Sequence, residues 1–302
     1  MLKHFLVILN PHSGKGKGCE ALDLFKAVAL HKGVTHEVFT TQRAGDAVTF
    51  LQQHTLEGVD AIISIGGDGS LNEVVNGLLR REDHPGIPVG VLPSGTGNSL
   101  MKDMDCSHAS EAIADIFIGN RSFLDVFEVE MDGEIHFGFN MVGCGLPAEI
   151  NEVAERFRFF RGQRYNVAAL KTILNYKPLG YHFYTEDGNE SFVSDFIVAS
   201  NTRNIGTGLK IAPHALLDDG LLDIFILKAI PHRFSLFTLF AKLLRGTHQQ
   251  DARVILRRLS DFRISSPSRK LLNIDGEQYA FNELRVKMLP GRIELLHQPE
   301  GD

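Results

Sequence analysis

The chain is poor in sulfur and has no tryptophan: three cysteines (Cys19, Cys106, Cys144) stand in 302 residues. They are odd in number, far apart and never in a CxxC pair, which argues against a zinc site, a redox dithiol or a disulfide framework. Three free thiols in a reducing compartment is the reading that follows. The thirteen histidines show no HExxH or HxxxH spacing, so no zinc motif is present. No apolar run reaches the ~18 residues of a spanning helix; the longest lie at 221–230 and 234–244. The apolar run at 5–9 is too short for a signal peptide and lacks a small-residue cleavage site. The expectation is a cytoplasmic, non-spanning protein. Lys and Arg number 31 against 37 Asp and Glu, a net charge of −6, which excludes a surface that coats nucleic acid. GxxxxGK[ST] and GxGxxG are both missing, so neither a Walker A loop nor a dinucleotide fingerprint occurs.

What is present is ordinary globular material, 43% apolar and 23% charged. At roughly 150 residues per domain the length implies about two domains. The first 125 residues alternate between two patterns. Short apolar runs at 5–9, 34–41, 61–65 and 87–92 read as strands. Helical spacing separates them, with Leu22, Phe25 and Val28/Ala29 on one face, then 44–54, then Leu71, Val74, Val75, Leu78 and Leu79. Strands alternating with helices imply a parallel sheet covered by helices. After Arg121 the helical patterns thin out. Runs at 123–130, 182–185, 192–199, 222–227, 270–274, 278–281 and 292–296 read as strands, with helices near 163–176 and 234–244.

Three of the early strands end in glycine-rich turns: Asn10-Pro11-His12-Ser13-Gly14, Gly66-Gly67-Asp68-Gly69-Ser70 and Ser94-Gly95-Thr96-Gly97-Asn98. Ligands of such sheets bind beyond the carboxyl ends of the strands. Glycine lets the backbone approach a ligand closely, and a turn entering a helix gathers N–H groups into an anion site. The reading is a polyphosphate lying across the strand ends. Ser70 and Glu73 also have the spacing of a capping box, and Asn98 that of an N-cap. Neither explains Asp68, a carboxylate that is unfavourable beside phosphate unless a cation intervenes; Asp68 therefore implies Mg²⁺.

NPHSG, GGDGSLNEVVNGL and LPSGTGN, in this order and spacing, resemble the three nucleotide-binding motifs of the diacylglycerol kinase catalytic-domain family. That family includes bacterial lipid kinases, sphingosine kinases and ceramide kinases. TTQRAGDA resembles the segment whose threonine, here Thr41, contacts nucleotide. GLKIAPHALLDDGLLDI and LNIDGE resemble later signatures of the same family, so the likeness runs over nearly the whole chain. It implies an N-terminal α/β nucleotide domain (1–125) like that of NAD kinases and phosphofructokinases. A β-rich domain (126–290) follows, residues from about 290 to 302 return to the first domain, and ATP lies in the cleft between the two. The implied reaction is transfer of the γ-phosphate of ATP to a lipid hydroxyl. Ser70 stands where the family more often has threonine, and Gly143-Cys144-Gly145 is a looser match to its central glycine motif.

Phosphoryl transfer needs phosphate positioning, charge neutralisation and a base. Asn10, Pro11, Ser13, Gly14, Thr41, Gly66, Gly67, Gly69, Ser70, Asn72, Glu73, Gly95, Thr96, Gly97 and Asn98 make up the expected nucleotide contacts, with Asp68 acting through Mg²⁺. By resemblance the base lies in Asn273-Ile274-Asp275-Gly276-Glu277, with Glu277 preferred and Asp275 close behind; Asp275-Gly276 also reads as a hairpin turn. The resemblance further implies a structural Mg²⁺ held by the Asp219 carboxylate and the carbonyls of Leu216 and Leu221, oxygen ligands suited to a hard cation. LNIDGE and DDGLLD speak against a soluble acceptor such as NAD, and the carboxylates Asp68, Asp275 and Glu277 against a non-catalytic nucleotide sensor. The net charge conceals polarity: 156–184 holds six Lys/Arg and no acid, and 228–258 holds seven with only Asp251. Two readings stand side by side: ordinary amphipathic helices packed on the β-rich domain, or a peripheral face that meets anionic lipid headgroups.

Overall fold

The computed structural model describes residues 2–83, 86–146, 148–149, 172, 178–206, 208–230 and 234–297. The chain divides into two compact units, Met1–Val126 with Leu289–Asp302, and Phe127–Met288. It combines an α/β nucleotide-type unit with a β-sandwich-like unit.

In the first unit, β1 (His4–Leu9), β2 (Thr35–Thr40), β3 (Ala61–Gly66) and β4 (Val89–Pro93) pair in parallel in the order β4-β3-β1-β2. The runs FLVIL, AIISIG and VGVLP are buried along their length, as required of strands covered on both faces. The edge strand β2 is only half-buried. Between them lie α1 (Lys17–Lys32), α2 (Asp46–Gln53) and α3 (Asp68–Leu79), followed by the short α4 (Ser99–Asp103) and α5 (Ala109–Ile118). Helix α1 packs with α5, and α2 with α3. Phe5 of β1 meets Phe25 of α1 and Phe117 of α5 edge-on, both at 5.7 Å, a favoured aromatic geometry. Leu71, Val74, Val75 and Leu78 form the buried face of α3.

The second unit runs through β5 (Arg121–Met131), β6 (Glu134–Gly138), β7 (Met141–Gly145), β8 (Leu179–Thr185), β9 (Gly188–Ser200), β10 (Leu222–Lys228), β11 (Val254–Leu259), β12 (Asp261–Ile274) and β13 (Glu277–Leu296). Strands β5 and β13 supply residues to both units. The last stretch of β13 belongs to the first unit, where Leu295 pairs in parallel with Val89 and the buried Asp125 carboxylate accepts the Gly291 N–H at 2.6 Å. Strands β7 and β8 each bridge β9 and β12, so the antiparallel ladder closes into a ring. Phe127, Val142, Tyr181, Phe183, Ile197, Phe262, Leu272 and Phe281 are among the residues of one apolar core. A second core forms where Leu236, Leu239 and Leu243 of α6 (Phe234–Arg245) meet Phe196, Val198, Phe225 and Leu227. Gly143 and Gly145 lie inside β7, paired to β9 and, at Gly143, to β12, so the central glycine motif is strand and not loop. The helix expected over 163–176 and most of the basic stretch 156–184 lie outside the described residues.

Candidate active site

The three glycine loops of the first unit are tied to one another. Asn10 N–H donates to Ile65 O at 3.0 Å, and its side-chain amide donates to Ser70 Oγ at 3.1 Å. Ser94 N–H donates to Gly66 O at 2.8 Å, and the Ser13 and Ser94 hydroxyls lie 2.6 Å apart. The Thr41 hydroxyl donates to Leu9 O at 3.2 Å, placing Thr41 beside the end of β1. The approach is close enough to exclude side chains. A Cβ on Gly14, whose φ is +54°, would sit 1.9 Å from Ser94 O. A Cβ on Gly95 would sit 2.5 Å from the Gly67 Cα. Asn98 also has left-handed backbone (φ 50°). Its amide donates to Gly95 O at 3.0 Å, while its Oδ1 is buried with no hydrogen-bond partner among the described residues. Thr96 is exposed at the tip of its loop, and Gly97 is half-buried.

Two carboxylates of α3 have structural work that the sequence spacing conceals. Both oxygens of Asp68 accept the Ser99 N–H, at 2.7 and 3.0 Å, and so cap α4. The Asn98 side chain does not cap that helix. Glu73 accepts the Ala47 N–H at 3.2 Å and caps α2. The capping box expected of Ser70 and Glu73 is therefore not formed: α3 begins two residues earlier, at Asp68, so Ser70 is inside the helix. Asn72 instead accepts the Asn76 amide through Oδ1 at 3.0 Å.

In the second unit, Asp275 and Gly276 join β12 to β13 with φ of 49° and 101°, as a two-residue hairpin turn demands. The Asp275 carboxylate is buried and accepts three successive backbone N–H groups, from Phe139, Asn140 and Met141, at 2.8, 3.0 and 2.7 Å. Its chemistry is committed to holding the 139–141 segment. Glu277, the first residue of β13, is exposed, and its carboxylate has no partner among the described residues.

Both units have counterparts in known proteins. Residues 4–129 match the family model of the diacylglycerol kinase catalytic domain, and 140–297 match the YegS C-terminal NAD kinase beta sandwich-like domain. The chain is 30% identical to a diacylglycerol kinase of Mycobacterium tuberculosis over 97% of its own length and 95% of that protein's. The chain belongs to the diacylglycerol kinase catalytic-domain family. A "Probable lipid kinase YegS-like" of Shewanella frigidimarina is 28% identical, covering 99% of this chain and 95% of that one. The crystal structure of a diacylglycerol kinase from Bacillus anthracis shares the fold, with a TM-score of 0.73 at 20% identity over 98% of this chain and 97% of that one. Family membership makes the protein a kinase of the lipid-kinase type.

Within this kinase, Asp219 presents a different picture from the metal site that the resemblance implies. One oxygen accepts the Leu221 N–H at 3.0 Å, and the other is paired with Arg258, which also approaches Asp223 Oδ2 at 3.5 Å. Burial raises the Asp223 carboxyl above the usual range. A cation held by the Asp219 carboxylate with the Leu216 and Leu221 carbonyls would compete with Arg258 for that carboxylate. Asp68 fits one better: a single N–H leaves a carboxylate with free lone pairs, and Mg²⁺ characteristically uses one or two carboxylates with water and phosphate completing its shell. No group of three or more His, Cys, Asp or Glu arranged to hold a metal ion occurs among the described residues. The cysteines are free, and burial pushes Cys106 to about 11 and Cys144 to about 12, which makes both inert.

Lys15 is absent from the expected site residues. It is exposed between Gly14 and Gly16 with φ of 64°, so three successive residues are left-handed. That conformation costs an L-residue about 1–2 kcal/mol, and strain of this kind concentrates at functional sites. The signal in the sequence is a lysine between two glycines. Arg258, Asn140 and Thr202 are also invisible to motif reading, because what marks them is the partner they meet.

Proposed function

We propose that this kinase transfers the γ-phosphate of ATP to the hydroxyl of a lipid such as diacylglycerol or a sphingoid base. The observation that carries the reading is the mutual locking of the Asn10, Gly66 and Ser94 loops around Asp68. Backbone N–H groups of these glycine loops, with Ser13, Ser70 and Thr96, would position the phosphates, and Lys15 would balance their charge. Asp68 would hold Mg²⁺, which when bound neutralises charge on the β and γ oxygens. The lipid oxygen attacks the γ-phosphorus, the bond to the bridging oxygen breaks, and ADP leaves. The hydroxyl proton passes to Glu277, whose carboxylate has no partner to release among the described residues. Asp275 is unsuited to that step, because its oxygens are occupied by three N–H donors.

An ATP-consumption assay over diacylglycerol, sphingosine, ceramide, NAD and a sugar phosphate tests the reading. Turnover with a lipid alcohol is expected; turnover only with NAD or the sugar phosphate overturns it. No helix among the described residues is long and apolar enough to cross a membrane. Helix α6 leaves Phe240 and Leu244 exposed near Arg245, which supports peripheral contact with anionic lipid. Four of the seven bases of the stretch 228–258 are paired, Lys242 and Arg253 with Asp251, Arg257 with Glu190 and Arg258 with Asp219. At about 1 kcal/mol per free Lys or Arg, such contact is weak and salt-sensitive, and co-sedimentation with anionic and neutral liposomes measures it.

A further inference from the structure

The hairpin turn that carries Glu277 is fastened to the rest of the second unit by buried polar groups. Segment 139–141 gives its three N–H groups to Asp275, and Asp275 N–H returns a bond to Met141 O at 3.0 Å. The carbonyls of the same segment face a second partner: Asn201 N–H donates to Asn140 O at 2.9 Å, and the Asn201 amide donates to Phe139 O at 3.1 Å. The side chain of Asn140 meets Thr202 Oγ1, which also contacts Asn204 O at 3.0 Å. Asn140, Asn201 and Thr202 are 5%, 0% and 0% exposed. These side chains are closed off from bulk solvent, so deleting one member leaves another buried and unsatisfied.

We infer that Asn140 and Thr202 are positioning residues for the carboxylate of Glu277. A two-residue turn with positive φ at both positions sets the shape of the hairpin tip. It does not set where that tip sits within the unit. The ladder of β12 with β7 brings Ile274 opposite Val142, and beyond it the chain from Thr202 through Asn140 to Asp275 holds the turn, with Glu277 two residues further on. Removing the Thr202 hydroxyl loosens the 139–141 segment and lets the turn wander, and a base displaced by about 1 Å loses up to a hundredfold in rate. The inference rests on the reading of Glu277 as the base.

The test compares Thr202→Val with Thr202→Ser in the full chain, alongside Glu277→Gln. Thr202→Val is expected to lower kcat by about tenfold to a hundredfold with KM for ATP unchanged. It is also expected to raise amide hydrogen exchange in the peptide spanning 274–281. Thr202→Ser, which keeps the hydroxyl, is expected to restore both. Normal kcat and unchanged exchange in Thr202→Val overturn the inference when Glu277→Gln is inactive. If Glu277→Gln turns over normally, the base assignment fails, and the exchange measurement alone then decides whether Thr202 holds the turn. Ser200→Ala, which removes the hydroxyl bonded to Thr202 O at 2.7 Å, carries the same test should Thr202→Val not fold, with a smaller effect in the same direction.

Discussion

The two units hold their functional loops by opposite means. In the first, loops come together because side chains are missing: Gly14 against Ser94, and Gly67 against Gly95, permit backbone to touch backbone. The polar groups there are short, half-buried and shared between loops. In the second unit the turn at 275–276 is held by side chains that are present and buried, with Asp275, Asn140, Asn201 and Thr202 forming a water-excluded lattice. A loop that must wrap a ligand profits from a bare backbone. A turn that presents one carboxylate profits from a rigid polar foundation.

The comparison breaks first at Asp275. Asp275→Ala leaves three buried N–H groups without an acceptor, each costing about 1–3 kcal/mol. Urea unfolding should show the second unit destabilised by at least about 3 kcal/mol. An unchanged midpoint would mean that the carboxylate is not the pin of the turn. Gly14→Ala should cost about 1–3 kcal/mol, from strain at positive φ and the clash with Ser94 O. It should also weaken ATP binding by calorimetry while the second unit melts normally. Equal affinity in the variant would remove this loop from the nucleotide site.

His248 sharpens the contrast through its dependence on pH. It is fully buried, its Nε2 meets Ile211 O at 2.9 Å, its ring meets Phe225 edge-on, and burial lowers its pKa below the usual 6.5. The unfolded chain therefore binds the proton more readily. The stability this provides is full above about pH 6.5 and is lost as pH falls below it. His248→Gln should flatten that dependence below about pH 6.5, as read from melting temperatures on the acid side; an identical slope would refute it. Asp68→Asn should have the smallest effect on stability, because asparagine caps a helix about as well as aspartate, whereas Asp68→Ala loses about 1 kcal/mol. Both should abolish turnover. A turning-over Asp68→Asn would reduce Asp68 to a cap.

Much of the first unit was legible in its sequence because periodicity reports burial. Fully apolar runs of five or six residues became central strands, and Leu71, Val74, Val75 and Leu78 became one helix face. Helix α4 escapes such a reading, since five residues span too little of the helical period. Strand β11 escapes it too, because its alternation is interrupted by Arg257 and Arg258, whose acidic partners come from β9 and the turn before β10. The pairing of Asp219 with Arg258 is equally hidden, because Arg258 arrives from a strand about forty residues away.

The sequence by itself determined the family, the α/β and β-rich order of the chain, and the residue types at the strand ends. Those follow from local patterns and from motifs that carry their own spacing. Only the tertiary structure decided which carboxylate does what. Asp68 and Glu73 cap helices they do not belong to, Asp275 is saturated by a distant segment, and Glu277 is left without a partner among the described residues. The reason is physical: a carboxylate's character is set by the donors around it, and those donors are brought together by folding across separations of 26 to 136 residues.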